Sequence, residues 1–212
     1  SRGTDGMVAA AEHARKTGTP YLGICYVFQW AVTEFARNVS GLAGANSTEV
    51  DPDAPHRIIY KLQDLLGVDD LGGTMRLGSY TCRLKPGSRA EAIYGASEIR
   101  ERHRHRYEFN QAYLKTVEDH GLVVSGKTPD GKFVEIAELP DHPWFLAVQY
   151  HPEFKSKPLA PHPLFRDFVR GTAPSITQVY DTVNKVAASD TTTVLITGES
   201  GTGKQVVAKL LH

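Results

Sequence analysis

The sequence predicts an α/β fold whose functional groups stand at the ends of parallel strands, and three observations carry that expectation. An apolar stretch, residues 21–24, runs into a segment where Val27, Phe28, Ala31, Val32, Phe35 and Ala36 recur at helical spacing. It reads as strand, tight turn and helix, with the Cys25 thiol at the turn. A second short apolar run, residues 144–148, ends just before His151 and Glu153. In the tail, residues 193–197 read as a buried strand, residues 198–204 (GESGTGK) as a glycine-rich loop, and residues 205–211 as the helix behind it.

Length and composition bound the reading. At 212 residues the chain can hold one domain or one and a fraction, and 41% hydrophobic content suits a packed core. Basic and acidic residues balance at 24 each, so no global field steers the chain towards nucleic acid or an anionic membrane. Cys25 and Cys82 make neither a disulfide framework nor a metal-ligand cluster; a reducing cytosol and a cytoplasmic location are expected, with no metal. No apolar run approaches a membrane span, and there is no signal-peptide pattern. The chain opens at Ser1 in loop-like residues, as expected of a fragment.

Taken in order, residues 5–16 read as a helix with Asp5 as N-cap and Gly18 near its end. The strand at 21–24 then delivers Cys25 to the start of the next helix, whose dipole and N–H groups favour a thiolate. Such elbows want small residues two positions either side of the nucleophile. Gly23 meets that need, whereas Val27 is expected to strain or widen the turn. Residues 41–55, rich in Gly, Asn, Ser, Asp and Pro, read as a long surface loop closed by Glu49 and its neighbours. The sequon at Asn46 is taken as chance. Residues 72–85 suggest extended chain stopped by Pro86 and Gly87, and residues 90–94 a short helix. The charge run at 100–108 reads as a solvated strand or loop. Residues 110–120 read as a helix with Gly121 as C-cap, followed by a hairpin of 122–125 and 132–137 about residues 129–131.

Cys25, His151 and Glu153 suit nucleophilic chemistry. Imidazole serves as base to the thiol, and the carboxylate two residues on fixes its tautomer and stabilises the imidazolium. Strand ends share one edge in a parallel sheet, which would bring the groups together.

Several separate motifs occur in one order: residues 21–25, 34–39, 44–49, 72–78, 101–108, 142–145 and 151–154. Together they resemble the glutaminase domain of the CTP synthases, a class I glutamine amidotransferase, over about residues 1–170. The resemblance implies a doubly wound, mostly parallel, flavodoxin-like sheet. It also implies a catalytic triad of Cys25, His151 and Glu153 and a glutamine pocket lined by Tyr26, Val27, Phe28, Gln29, Glu49 and Arg106. The implied activity is hydrolysis of L-glutamine, supplying ammonia for amination of UTP to CTP. No cofactor serves the glutaminase step; ATP and magnesium serve a synthetase domain expected to lie outside this chain, and a homo-oligomer is open by the same likeness.

Two departures from the family pattern carry expectations. The family elbow reads Cys-Leu-Gly-Met-Gln, while this chain has the bulkier Tyr26, Val27 and Phe28 before Gln29, expected to narrow the pocket. The first sheet strands and the glycine-rich loop that completes the family's oxyanion hole are expected to precede Ser1, leaving the Tyr26 N–H. Loss of one such donor typically costs about a hundredfold to a thousandfold in rate.

Residues 171–177 read as a junction, and residues 178–212 resemble the start of the AAA+ domain of bacterial enhancer-binding activators. There Gly198, Glu199, Ser200, Gly201, Thr202, Gly203 and Lys204 would cradle phosphates, while Gln205 replaces the Ser or Thr expected on magnesium. An ATP-binding regulatory protein and a noncatalytic remnant are the rival readings.

Overall fold

The computed structural model describes residues 3–62, 75–157 and 160–170, with positions 182 and 185 besides. The expected P-loop, Gly198 to Lys204, and the strand and helix beside it lie outside the described residues, as do the first three residues of the 72–78 motif.

Helix α1 (Thr4–Thr17) is bounded by two glycines in the left-handed region, Gly3 (φ 72°) and Gly18 (φ 73°). Asp5, expected as the N-cap, sits in the first turn instead, where a carboxylate still meets the positive end of the helix. Strand β1 (Tyr21–Ile24) and helix α2 (Tyr26–Asn38) follow as the periodicity predicts. The expected loop at 41–55 contains β2 (Ala45–Ser47), with Ala45 and Ser47 buried. Arg37 of α2 donates to the Ala45 carbonyl, which ties that segment to the helix.

Beyond it lie β3 (His56–Lys61), β4 (Arg76–Leu84), α3 (Arg89–Tyr94), β5 (Glu98–His105) and β6 (Tyr107–Phe109). The helix expected at 110–120 is divided into a 3-10 turn, Gln111–Tyr113, and α4 (Leu114–Asp119). The Asn110 side chain accepts the Ala112 N–H as a cap. The hairpin of β7 (Val123–Lys127) and β8 (Val134–Glu138), then β9 (Phe145–Val148) and α5 (Pro163–Arg170), complete the order.

The main sheet runs β1-β9-β8-β7-β4-β5, and a smaller one runs β2-β3-β6. Within the main sheet β1 and β9 are parallel; every other neighbouring pair is antiparallel. The sheet is therefore mixed rather than mostly parallel. For the β7–β8 and β8–β9 pairs the physical reason is connection length: the links at 128–133 and 139–144 are shorter than the dozen or so residues a parallel crossover needs.

Strand β9 shows why helices cover both faces. Phe145 and Ala147 point into the core formed with α1 and α2, while Leu146 and Val148 point into the core formed with α3 and α5. The Trp144 indole N–H, at 2.8 Å from Asp167 Oδ1, fastens α5 to this second face.

Strand β5 departs most from expectation. Arg100, Arg102 and Arg104 are exposed, but Glu101, His103 and His105 alternate with them and are buried. Half of the expected solvated charge run is thus interior. Among the described residues no helix is long and apolar enough to cross a membrane.

Candidate active site

The turn at Cys25 is made by backbone geometry that only this position adopts among the described non-glycine residues. Its φ is 50° and its ψ is −103°. Residues persist in such regions only where their surroundings over-determine them. Here the Cys25 N–H donates to the Val148 carbonyl at 2.8 Å, holding the turn to the end of β9. Gly23 explains the close approach of strand and helix: a Cβ there would lie 3.0 Å from Ala147 Cβ and 3.3 Å from the Phe28 backbone nitrogen. The tight contact is made at Gly23, and α2 starts regularly at Tyr26 with Val27 half-buried.

Ile24 is level with Val148 in the parallel pair, so Cys25 and the residues after β9 emerge at one end of the sheet. Gln149 donates to the Cys25 sulfur at 3.8 Å. Two residues on, His151 Nδ1 lies 2.6 Å from Glu153 Oε1. A carboxylate accepts, so Nδ1 carries the proton and Nε2 keeps its lone pair. That Nε2 atom is buried and makes no hydrogen bond within the described residues. The imidazole is further fixed by stacking on Phe154, centroids 5.0 Å apart, and by its backbone N–H to the Arg102 carbonyl at 2.8 Å.

The thiol is not held as a thiolate. Burial pushes Cys25 up to about 12; the Tyr26 N–H at the helix start opposes this, while the Glu153 and Glu108 carboxylates add to it. The expected helix effect is present but smaller than desolvation. Deprotonation therefore has to be coupled to transfer of the proton to a base.

A cavity of about 330 Å³ opens at Cys25. Tyr26, Gln29, Glu49 and Arg106 line it with the cysteine, as the sequence implied, together with Met75, Arg104, His105 and Tyr107. Val27 and Phe28 do not: Phe28 is fully buried in the α1/α2 core, on the side of the helix that faces the sheet. His151 and Glu153 stand at the same sheet end without lining this cavity. The wall is joined by amides, since Gln29 Nε2 donates to the Tyr107 carbonyl at 3.2 Å and approaches Gln149 Oε1 at 3.4 Å.

Gln149 and His105 were missed in the sequence. Gln149 carried a usable signal, a polar residue following an apolar strand in the same position as Cys25 follows β1. His105 carried one only if the run at 98–105 had been read as a two-faced strand. No group of three or more His, Cys, Asp or Glu among the described residues could hold a metal ion.

A strained cysteine elbow, a His–Glu pair at the same sheet end and a layered α/β scaffold define a thiol-dependent amidotransferase class. Residues 1–170 match the family described as glutamine amidotransferase class-I, and the chain belongs to that family. Within it the similarity is to CTP synthase. The chain is 60% identical over 169 residues to CTP synthase of Acidobacterium capsulatum, covering 80% of this chain and 31% of that protein. It is 60% identical over 168 residues to CTP synthase of Rubrobacter xylanophilus, covering 79% and 30%. The chain thus spans about a third of the length of these relatives. Among solved structures, the glutaminase domain of Trypanosoma brucei CTPS with bound acivicin matches with a TM-score of 0.75 at 37% identity, covering 80% of this chain and 66% of that one. Residues 169–212 match a different family, described as the Sigma-54 interaction domain.

Proposed function

We propose that this chain hydrolyses the side-chain amide of L-glutamine and supplies ammonia for the ATP-dependent amination of UTP to CTP. One observation carries the reading. Cys25 is presented by a strained elbow on the strand paired with β9, whose end bears the 2.6 Å His151–Glu153 pair, at the mouth of a cavity with opposite charges on its wall.

In this reading Arg106 takes the α-carboxylate and Glu49 the α-amino group by charge-assisted hydrogen bonds. The Cys25 sulfur attacks the amide carbon as its proton passes to His151 Nε2, which then delivers that proton to the departing ammonia. Water, activated by the same imidazole, cleaves the γ-glutamyl thioester and returns the thiol, leaving glutamate. Glu153 holds the imidazole and stabilises its charged form. The Tyr26 N–H supplies one oxyanion donor. The activity is proposed for the cytoplasm, in company with a synthetase partner that would bind ATP and magnesium; no step above passes through either. The family match at 169–212 bears on the tail alone, where residues 171–177 would be a junction and residues 198–204 a phosphate loop.

The test is ammonia release from L-glutamine together with covalent labelling by acivicin, the ligand held by the trypanosomal relative. We expect Cys25→Ala to abolish both and Glu153→Gln to lower kcat by roughly a hundredfold or more through the wrong imidazole tautomer. A wild-type protein whose Cys25 reacts with iodoacetamide but neither takes acivicin nor releases ammonia would overturn the proposal.

A further inference from the structure

The cavity wall contains a corner that no catalytic role yet explains. Strand β5 ends at His105 and β6 begins at Tyr107, with Arg106 at the bend between them. The Arg106 carbonyl is held outside the cavity by the Leu62 N–H at 2.8 Å. The Tyr107 carbonyl points the other way and accepts from two side chains, Gln29 Nε2 at 3.2 Å and His105 Nδ1 at 3.0 Å.

Those contacts fix the tautomers. A backbone carbonyl can only accept, so His105 Nδ1 carries a proton; in the neutral ring Nε2 is then an acceptor, and it is reached by His103 Nδ1 at 2.8 Å, which must donate. His103 Nε2 lies 3.1 Å from Glu135 Oε2, and Glu135 Oε1 lies 2.7 Å from Arg76 Nη2, both groups being buried. Burial and the Arg76 charge keep both imidazoles neutral, lowering His103 to about 2 and His105 to about 3. Hydrogen bonds thus run without a break from His103 through His105, the Tyr107 carbonyl, Gln29 and Gln149 to the Cys25 sulfur.

We propose that His105, backed by His103, is a positioning residue for substrate binding: its imidazole sets the Tyr107 carbonyl and hence the bend that presents Arg106 to the cavity. The inference rests on the reading of this cavity as the glutamine site. The buried histidine pair acts as a rigid strut between the charged interior and the wall, and it takes no part in proton transfer. Its effect therefore falls on how the amino-acid end of the substrate is gripped rather than on the reactivity of the thiol.

The experiment compares His105→Leu, which keeps bulk and loses the donor, with His105→Asn, whose amide N–H occupies nearly the place of Nδ1–H. We expect His105→Leu to raise KM for glutamine roughly tenfold to hundredfold, the loss of one buried hydrogen bond and the corner it holds, with kcat changed by less than about threefold. Acivicin labelling should slow by the same factor while iodoacetamide labelling of Cys25 stays as in wild type, and His105→Asn should restore most of the KM. A fall in kcat at unchanged KM, equal slowing of both electrophiles, or no difference between the Leu and Asn variants would overturn the inference. Should wild type react with iodoacetamide but not acivicin, the glutamine reading fails instead. The strut is then tested by exchange of the Gln29 side-chain amide protons in NMR: faster exchange in His105→Leu supports it, and unchanged exchange overturns it.

Discussion

The β1–β9 pair and the β4–β5 ribbon belong to one sheet but are built by opposite means. Strand β9 is apolar and buried on both faces, and it holds β1 in parallel register, so the nucleophile rests on packing. In the ribbon the inward side chains include Arg76, His103 and His105, which meet Glu108 and Glu135 away from water, and Glu101, which meets Lys155 and His162. The difference teaches that one active-site edge is assembled from a part stable at any ordinary pH and a part whose stability depends on protonation.

The largest expected effect sharpens that contrast. Burial pushes Glu108 up to about 8 and Glu135 up to about 7, with Arg76 pulling both back. Folded values above the unfolded ones mean stability that is fully present below about pH 4.5 and is lost as pH rises through 7 and 8. Arg76→Met removes the buried cation, raising both carboxyls further. It should cost about 3–5 kcal/mol at pH 9, where the two carboxyls must either stay charged without the cation or take up protons against the medium, and distinctly less at pH 6, where they are neutral. Denaturant unfolding at the two pH values checks this; an equal loss at both would show that the ribbon is not held by titrating groups.

Leu146→Ala, on the apolar side of the comparison, should cost about 2–5 kcal/mol through lost burial and a residual cavity. The same unfolding experiment should find that loss independent of pH, and a pH-dependent loss would erase the distinction between the two regions. The smallest effect has the opposite sign. Cys25→Gly places the residue most tolerant of positive φ at the strained elbow, relieving roughly 1–3 kcal/mol of strain against about 0.5–1 kcal/mol of extra chain entropy. An inactive protein with a melting temperature a few degrees higher is expected; a lower one would mean that the elbow is unstrained.

The two regions were also unequally legible in the sequence. Strands β1 and β9 could be read because apolar runs bounded by Gly, Pro and charge leave little choice, and Cys25 followed from the helical period after it. The hairpin turn at 129–131 gave one antiparallel pair, β7–β8, but the direction of the other neighbours is not a local property and was invisible until pairing was seen. On β5 the alternation existed in burial but not in polarity, since both faces carry charged or imidazole side chains, and a polar run gives no sign of which half is interior. Phe28 was placed at the pocket from the family elbow, whereas its phase on α2 turns it into the core. Glu49 and Arg106 could be reached only through the resemblance, because nothing local brings a loop carboxylate and a bend arginine to the same cavity.

Among the described residues β1 ends the sheet, and its outward backbone groups face away from β9. Any added strand would settle about 4.8 Å alongside it, at the flank of the very turn that carries the sulfur. An unpaired row of backbone N–H and C=O groups of this kind is a template on which another chain can extend the sheet.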